Sequence, residues 1–143
     1  MERKALMPLN SQHTWVICAY GESQYLEACI RSLKNQTLTS KIICYTSTPL
    51  TSIYEICGKY DIPVHHKTSG GIGRDWNQAL SFVTTKYATI AHQDDYYEPK
   101  FLEKTLEAFE SHQDGLITFT DYFEEKNGSK IDANPNLKIK RLM

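Results

Sequence analysis

Short apolar runs alternate with helical stripes from Trp15 onward. Trp15-Val16-Ile17-Cys18-Ala19 is continuously apolar, the pattern of a strand buried on both faces. Leu26, Cys29, Ile30 and Leu33 then recur at helical spacing, with Glu27, Arg31 and Lys34 opposite them. Lys41-Ile42-Ile43-Cys44-Tyr45 predicts a second buried strand. It leads into Thr46-Ser47-Thr48-Pro49, where Thr48 can cap a helix and Pro49 suits its first position. Ile53, Ile56, Cys57 and Tyr60 mark the apolar face of that helix. Ile62-Pro63-Val64-His65-His66 predicts a short third strand, placed toward a sheet edge by its proline. A glycine-rich loop, Ser69-Gly70-Gly71-Ile72-Gly73, precedes Trp76, Ala79, Leu80 and Val83, which predict a third helix with Trp76 in the core. Tyr87-Ala88-Thr89-Ile90-Ala91 predicts a fourth strand, Leu102, Thr105, Leu106 and Phe109 a fourth helix, and Leu116-Ile117-Thr118-Phe119-Thr120 a fifth strand.

Strand–helix units in unbroken succession call for an α/β fold. A mainly parallel sheet carries helices on both faces, because each crossover lays a helix on the sheet. Ligands of such sheets bind outside the carboxyl ends of the strands. The loops to watch are therefore 20–24, 46–49, 68–74 and 92–99. Beyond Asp121 the pattern dissolves, and residues 124–135 are polar and turn-rich. The expected organisation is a lead-in over 1–13, one domain over 14–123, and a tail over 124–143. That tail is polar or the start of a further, missing segment, so the chain reads as truncated at its C-terminus.

Composition narrows the function. A length of 143 residues suits one domain with its own core. Sixteen Lys and Arg against 17 Asp and Glu leave a net charge of -1, which argues against nucleic acid as a partner held by a basic field. No apolar run reaches the ~20 residues of a membrane helix, and Met1-Glu2-Arg3-Lys4 has no signal-peptide stretch behind it. Cys18, Cys29, Cys44 and Cys57 form no C-x-x-C pair, which predicts reduced, packed thiols; the expected location is the cytoplasm, the inner face of the membrane included. Neighbouring His65 and His66 would point to opposite faces of a strand, which favours structural roles over chelation.

Three loops hold candidate chemistry. In His92-Gln93-Asp94-Asp95, adjacent carboxylates repel and invite a cation. Hard oxygens suit Mg²⁺ or Mn²⁺, with phosphates of a ligand completing the shell. The alternative is a solvated turn in which one aspartate caps the helix starting near Pro99. The glycines at 70, 71 and 73 enter a helix whose N-terminus can bind an anion, with Arg74 on the first turn, or they form a plain connection. The loop matches neither a Walker P-loop nor the dinucleotide fingerprint. Tyr20 can stack on a nucleobase or lie as an aromatic lid on the sheet edge.

Taken together, these segments resemble family 2 glycosyltransferases. The resemblance is carried by Val16 to Glu22, by Tyr25 to Thr37, by Gly70 to Gly73 with Asn77-Gln78-Ala79-Leu80, and by Asp94-Asp95-Tyr96-Tyr97 with Pro99. It implies a GT-A fold, a three-layer α/β/α Rossmann-like sheet. It also implies a nucleotide-diphosphate sugar donor, Mg²⁺ or Mn²⁺, and inverting transfer of a hexose-type sugar to a glycan or lipid-linked acceptor hydroxyl, as in surface-glycan synthesis. Carried over by position, Ala19, Tyr20, Glu22, Ser47, Gly71, Gly73, Arg74, Asn77 and Asp94 surround the nucleotide sugar. Tyr20 flanks the base, Arg74 and the glycine loop lie near the diphosphate, and Asp95 with Asp94 holds the metal. The chain departs from the family at Thr46-Ser47-Thr48-Pro49, where an Asp-Asp-Gly-Ser type turn is usual, and at His92, the first position of an Asp-x-Asp-Asp pattern. The family's catalytic base belongs to a later acceptor-side segment, expected beyond Met143. A non-catalytic nucleotide-binding or protein-interaction module of the same fold is the alternative.

Overall fold

A computed structural model describes residues 8–68 and 70–131. Residues 1–7 of the lead-in, Ser69 of the glycine loop and residues 132–143 of the tail lie outside the described residues. The described chain divides into two compact units, one running to Leu106 and one starting at Glu107.

In the first unit, strands β1 (His13–Ala19), β2 (Lys41–Thr46), β3 (Val64–His66) and β4 (Tyr87–His92) form one sheet in the order β3-β2-β1-β4. All three pairings are parallel, with Ile17 opposite Cys44 on one side and Ala91 on the other. The connecting helices are α1 (Leu26–Lys34), α2 (Thr51–Lys59) and α3 (Ile72–Ser81), and α4 (Phe101–Ser111) follows β4.

The two-residue repeat of β1 divides its side chains between two cores. Trp15, Ile17 and Ala19 pack with Leu26, Ile30 and Leu33 of α1, Ile53 and Cys57 of α2, and Leu102 and Leu106 of α4. Val16, with Ile43 and Tyr45 of β2, meets Ala79 of α3, with Phe82 and Val83 just beyond it. The sheet is therefore covered on both faces, as the continuous apolar runs require. Each fully buried aliphatic side chain here contributes about 1.5–3 kcal/mol. His65 stacks on Phe82 with centroids 4.4 Å apart, while His66 Nδ1 pairs with the Tyr54 hydroxyl at 3.2 Å. The two imidazoles thus serve different neighbours.

Three expectations are corrected. Residues Leu116–Thr120 form no strand: Leu116 and Ile117 are 92% and 85% exposed, so this apolar run has no partner strand among the described residues to draw it into a ladder. The second unit instead carries a hairpin, β5 (Glu124–Lys126) and β6 (Ser129–Ile131), joined at Asn127-Gly128, both with positive φ as a tight turn demands. Thr48 does not cap α2, which starts at Thr51 without a side-chain cap. Its Oγ1 instead accepts the Gly21 N–H at 2.7 Å, tying the turn after β2 to the end of β1. Trp76 is not a core residue: it is 36% exposed, because it sits in the first half of α3, before the buried Ala79, where the strand-end cavity opens.

Candidate functional site

The order β3-β2-β1-β4 reverses direction at β1, since the chain runs outward through β2 and β3 and then returns to the far side for β4. Parallel sheets open a crevice at such a point, outside the carboxyl ends of the strands. A cavity of about 320 Å³ lies there. Cys18, Ala19 and Tyr20 line it from the end of β1, and Tyr45 lines it from β2. Gly71, Ile72, Asp75 and Trp76 contribute from the start of α3, and His92, Gln93 and Asp94 from the end of β4.

Backbone geometry shapes the rim. Gly71 precedes α3 with φ +96°, a conformation that side-chain-bearing residues rarely adopt. The β1 and β4 ends are fastened together where Gln93 Nε2 donates to the Tyr20 carbonyl at 2.6 Å. The Gln93 Oε1 atom is buried and has no hydrogen-bond partner among the described residues. Tyr20 leaves its ring 66% exposed over the opening. Across from it, the rings of Trp76 and His92 stand with centroids 5.3 Å apart.

The acidic loop is held from below. The Asp95 N–H bonds to the His92 carbonyl at 3.1 Å, and Cys29 Sγ donates to that same carbonyl at 3.4 Å. Ser32 Oγ accepts the Tyr97 N–H, and Gln36 donates through Nε2 to the Glu98 carbonyl at 2.9 Å while its Oε1 accepts the Leu102 N–H at 3.0 Å. Burial raises the Asp95 carboxyl above the usual carboxylate range, and the neighbouring Asp94 charge raises it further against the pull of His92. Burial, then Asp95 and Asp94, push the Cys29 thiol up to about 12. Both shifts come first from burial and second from the negative charge of this lip. Among the described residues no group of three or more His, Cys, Asp and Glu side chains is placed to hold a metal. Two adjacent carboxylates of hard oxygen do suit a divalent ion whose remaining ligands come from elsewhere.

Of the positions expected from sequence, Ala19, Tyr20, Gly71 and Asp94 line the cavity, with Asp95 next to it in the chain. The others stand outside the lining. Glu22 accepts from Ser52 Oγ at 3.2 Å, and Ser47 donates to Asp75 Oδ2 at 2.9 Å. Gly73, Arg74 and Asn77 are exposed on α3. Asp75 was the missed residue. It is 9% exposed and sits four positions before the fully buried Ala79, so a carboxylate on the apolar stripe of α3 was the available signal.

Comparison with known proteins gives a consistent likeness. The model of glycosyl transferase family 2 matches residues 14–142. Chondroitin synthase of Pasteurella multocida (strain Pm70) is 29% identical over 119 residues, 74% of this chain but 12% of that protein. The chain therefore spans only a small part of that relative. The crystal structure of S. aureus TarS 1-349 superposes with a TM-score of 0.64 at 18% identity, over 71% of this chain and 33% of that one. The mannosyltransferase PcManGT from Pyrobaculum calidifontis, in complex with GDP-Man and Mn²⁺, gives 0.61 at 14% identity, over 68% and 32%. At these identities the structural matches establish the Rossmann-like α/β fold. Among the described residues no helix is long and apolar enough to cross a membrane.

Proposed function

The chain belongs to glycosyl transferase family 2, and from that premise we propose that its cleft binds a nucleotide-diphosphate sugar for inverting transfer to an acceptor hydroxyl. The observation that carries this reading is one cavity at the strand ends, with aromatic rings on its walls and adjacent carboxylates at its lip. The PcManGT complex with GDP-Man and Mn²⁺ supports the choice of ligand class on the same fold.

Tyr20 flanks the base with its exposed ring, as a flat aromatic can against any nucleobase. Gln93 holds the Tyr20 backbone in place. Asp94 and Asp95 would hold Mg²⁺ or Mn²⁺, which would supply positive charge against a leaving diphosphate. The acceptor is a glycan or a lipid-linked sugar, in keeping with the chondroitin synthase likeness.

Isothermal titration with UDP and with GDP, each with Mn²⁺, tests the reading. Metal-dependent heat with at least one nucleotide, lost in Asp95→Ala, is expected. A folded protein that takes up neither nucleotide refutes it. A second reading, nucleotide binding without turnover, is favoured by His92, which stands where the family pattern has a first aspartate. Absence of sugar transfer by a chain that binds donor normally would select that reading.

A further inference from the structure

We propose that Asp75 reads the nucleobase. It would select a base whose Watson–Crick ring nitrogen carries a hydrogen, as in uracil and guanine, over one whose ring nitrogen is bare, as in cytosine and adenine. This rests on the donor-nucleotide reading above and extends it to the identity of the base.

Among the described residues Asp75 is the carboxylate that lines the cavity from the α3 side, and it is nearly buried there. A charged group taken from water needs donors around it. Ser47 Oγ provides one at 2.9 Å and fixes the carboxylate at the end of β2, beside Tyr45. Its field reaches the β1 wall: the Cys18 thiol is pushed up to about 11, by burial first and by the Asp75 charge second.

That charge decides which part of the ligand lies at this end. A diphosphate would be repelled by Asp75, so it must lie toward Asp94 and Asp95, where a cation can be shared. The neutral, N–H-bearing part of the nucleotide is left for the Asp75 end. There the exposed Tyr20 and Trp76 rings supply flat surfaces. Uracil offers its ring N3–H, and guanine its N1–H with the adjacent amino group. Cytosine and adenine would set a ring lone pair against the carboxylate. Sites built to accept a ligand N–H reject analogues lacking it far more strongly than apolar pockets reject a missing methylene.

The test is a calorimetric series of UDP, GDP, CDP and ADP with Mn²⁺ on the wild type and on Asp75→Asn. The wild type is expected to bind UDP or GDP at least about tenfold more tightly than CDP and ADP. The asparagine keeps the shape and an acceptor for Ser47, but adds an N–H₂ that can meet a bare ring nitrogen. The preference should therefore shrink at least about fivefold, with CDP or ADP binding held or improved and the circular dichroism unchanged. Equal losses for all four nucleotides, or none, overturn the assignment. Should Asp75→Asn fail to fold, the wild-type series still decides. CDP or ADP binding as well as UDP and GDP removes the base-reading role while leaving the donor reading intact. Binding of no nucleotide removes both.

Discussion

The indole of Trp76 and the imidazole of His92 meet across the cleft at 5.3 Å between centroids, one from α3 and one from the last residue of β4. This pair joins the two elements that flank the cavity, and it makes Trp76 an internal reporter. The other tryptophan, Trp15, is fully buried between His13, Tyr97 and Phe101. Nucleotide with Mn²⁺ should change the emission of Trp76 and leave that of Trp15 alone. Trp76→Phe should abolish the change and weaken binding by about three- to tenfold, the value of one aromatic contact. An undiminished fluorescence response in Trp76→Phe would place the ligand elsewhere.

Asp95 carries a carboxyl whose ionised form is disfavoured by burial and by Asp94. Asp95→Asn should therefore leave thermal stability unchanged or slightly higher, since surface substitutions away from structural contacts shift stability by less than about 0.5 kcal/mol. Metal-dependent nucleotide binding should fall at least about tenfold. Because the carboxyl holds its proton to higher pH than an ordinary aspartate, wild-type metal affinity should also decline as the solution is acidified. Parallel melting curves and Mn²⁺ titrations check both halves.

His13 gives the fold a pH dependence independent of the cleft. It is 2% exposed, and burial lowers its pKa from 6.5 to about 4. Ser40 Oγ donates to the His13 carbonyl, so the Nδ1–H donates to Ser40 Oγ at 2.7 Å and Nε2 is left to accept from Thr89 at 2.8 Å. The neutral ring satisfies every partner. Between pH 4 and 6.5 the unfolded chain binds a proton that the folded one refuses. Stability is thus present above pH 6.5 and lost as pH falls toward 4, by about 3 kcal/mol across the window. Urea melts over this range should show the slope, and His13→Asn should flatten it.

Gln36 positions the acidic loop without touching the cavity. Its side chain, 7% exposed, bonds the carbonyls of Ser32 and Glu98 and the N–H of Leu102. Gln36→Ala leaves these backbone groups unpaired and should cost about 2–4 kcal/mol. Mn²⁺-dependent nucleotide binding should weaken as well, because the lip loses its anchor. A variant of unchanged stability would show that water replaces the amide.

The sheet was legible in the sequence where burial alone decides structure. Trp15 to Ala19 and Ile42 to Tyr45 are apolar at consecutive positions, the run that a strand covered on both faces requires. Leu116 to Thr120 carries the same signal and forms no strand, because β propensity becomes a ladder only when a neighbouring strand supplies the other half of each hydrogen bond. Thr48 followed a local capping rule, but the Gly21 N–H, distant in sequence, outbid it. Periodicity placed Trp76 on a helix face without revealing that this part of the face borders a cavity. It likewise hid Asp75, whose partner Ser47 comes from another loop. The acidic lip was visible because two adjacent carboxylates signal themselves without a tertiary context.

The central place of β1 sets when the cleft comes into being. Its two principal walls, the exits of β1 and β4, lie some seventy residues apart along the chain and are joined through the Gln93–Tyr20 bond. A nascent polypeptide that has made only β1, β2 and β3 holds one wall and no opposite side. On the proposed reading a donor could therefore be captured only once β4 has docked, and a nucleotide present during folding would favour the longest-range pairing of the sheet.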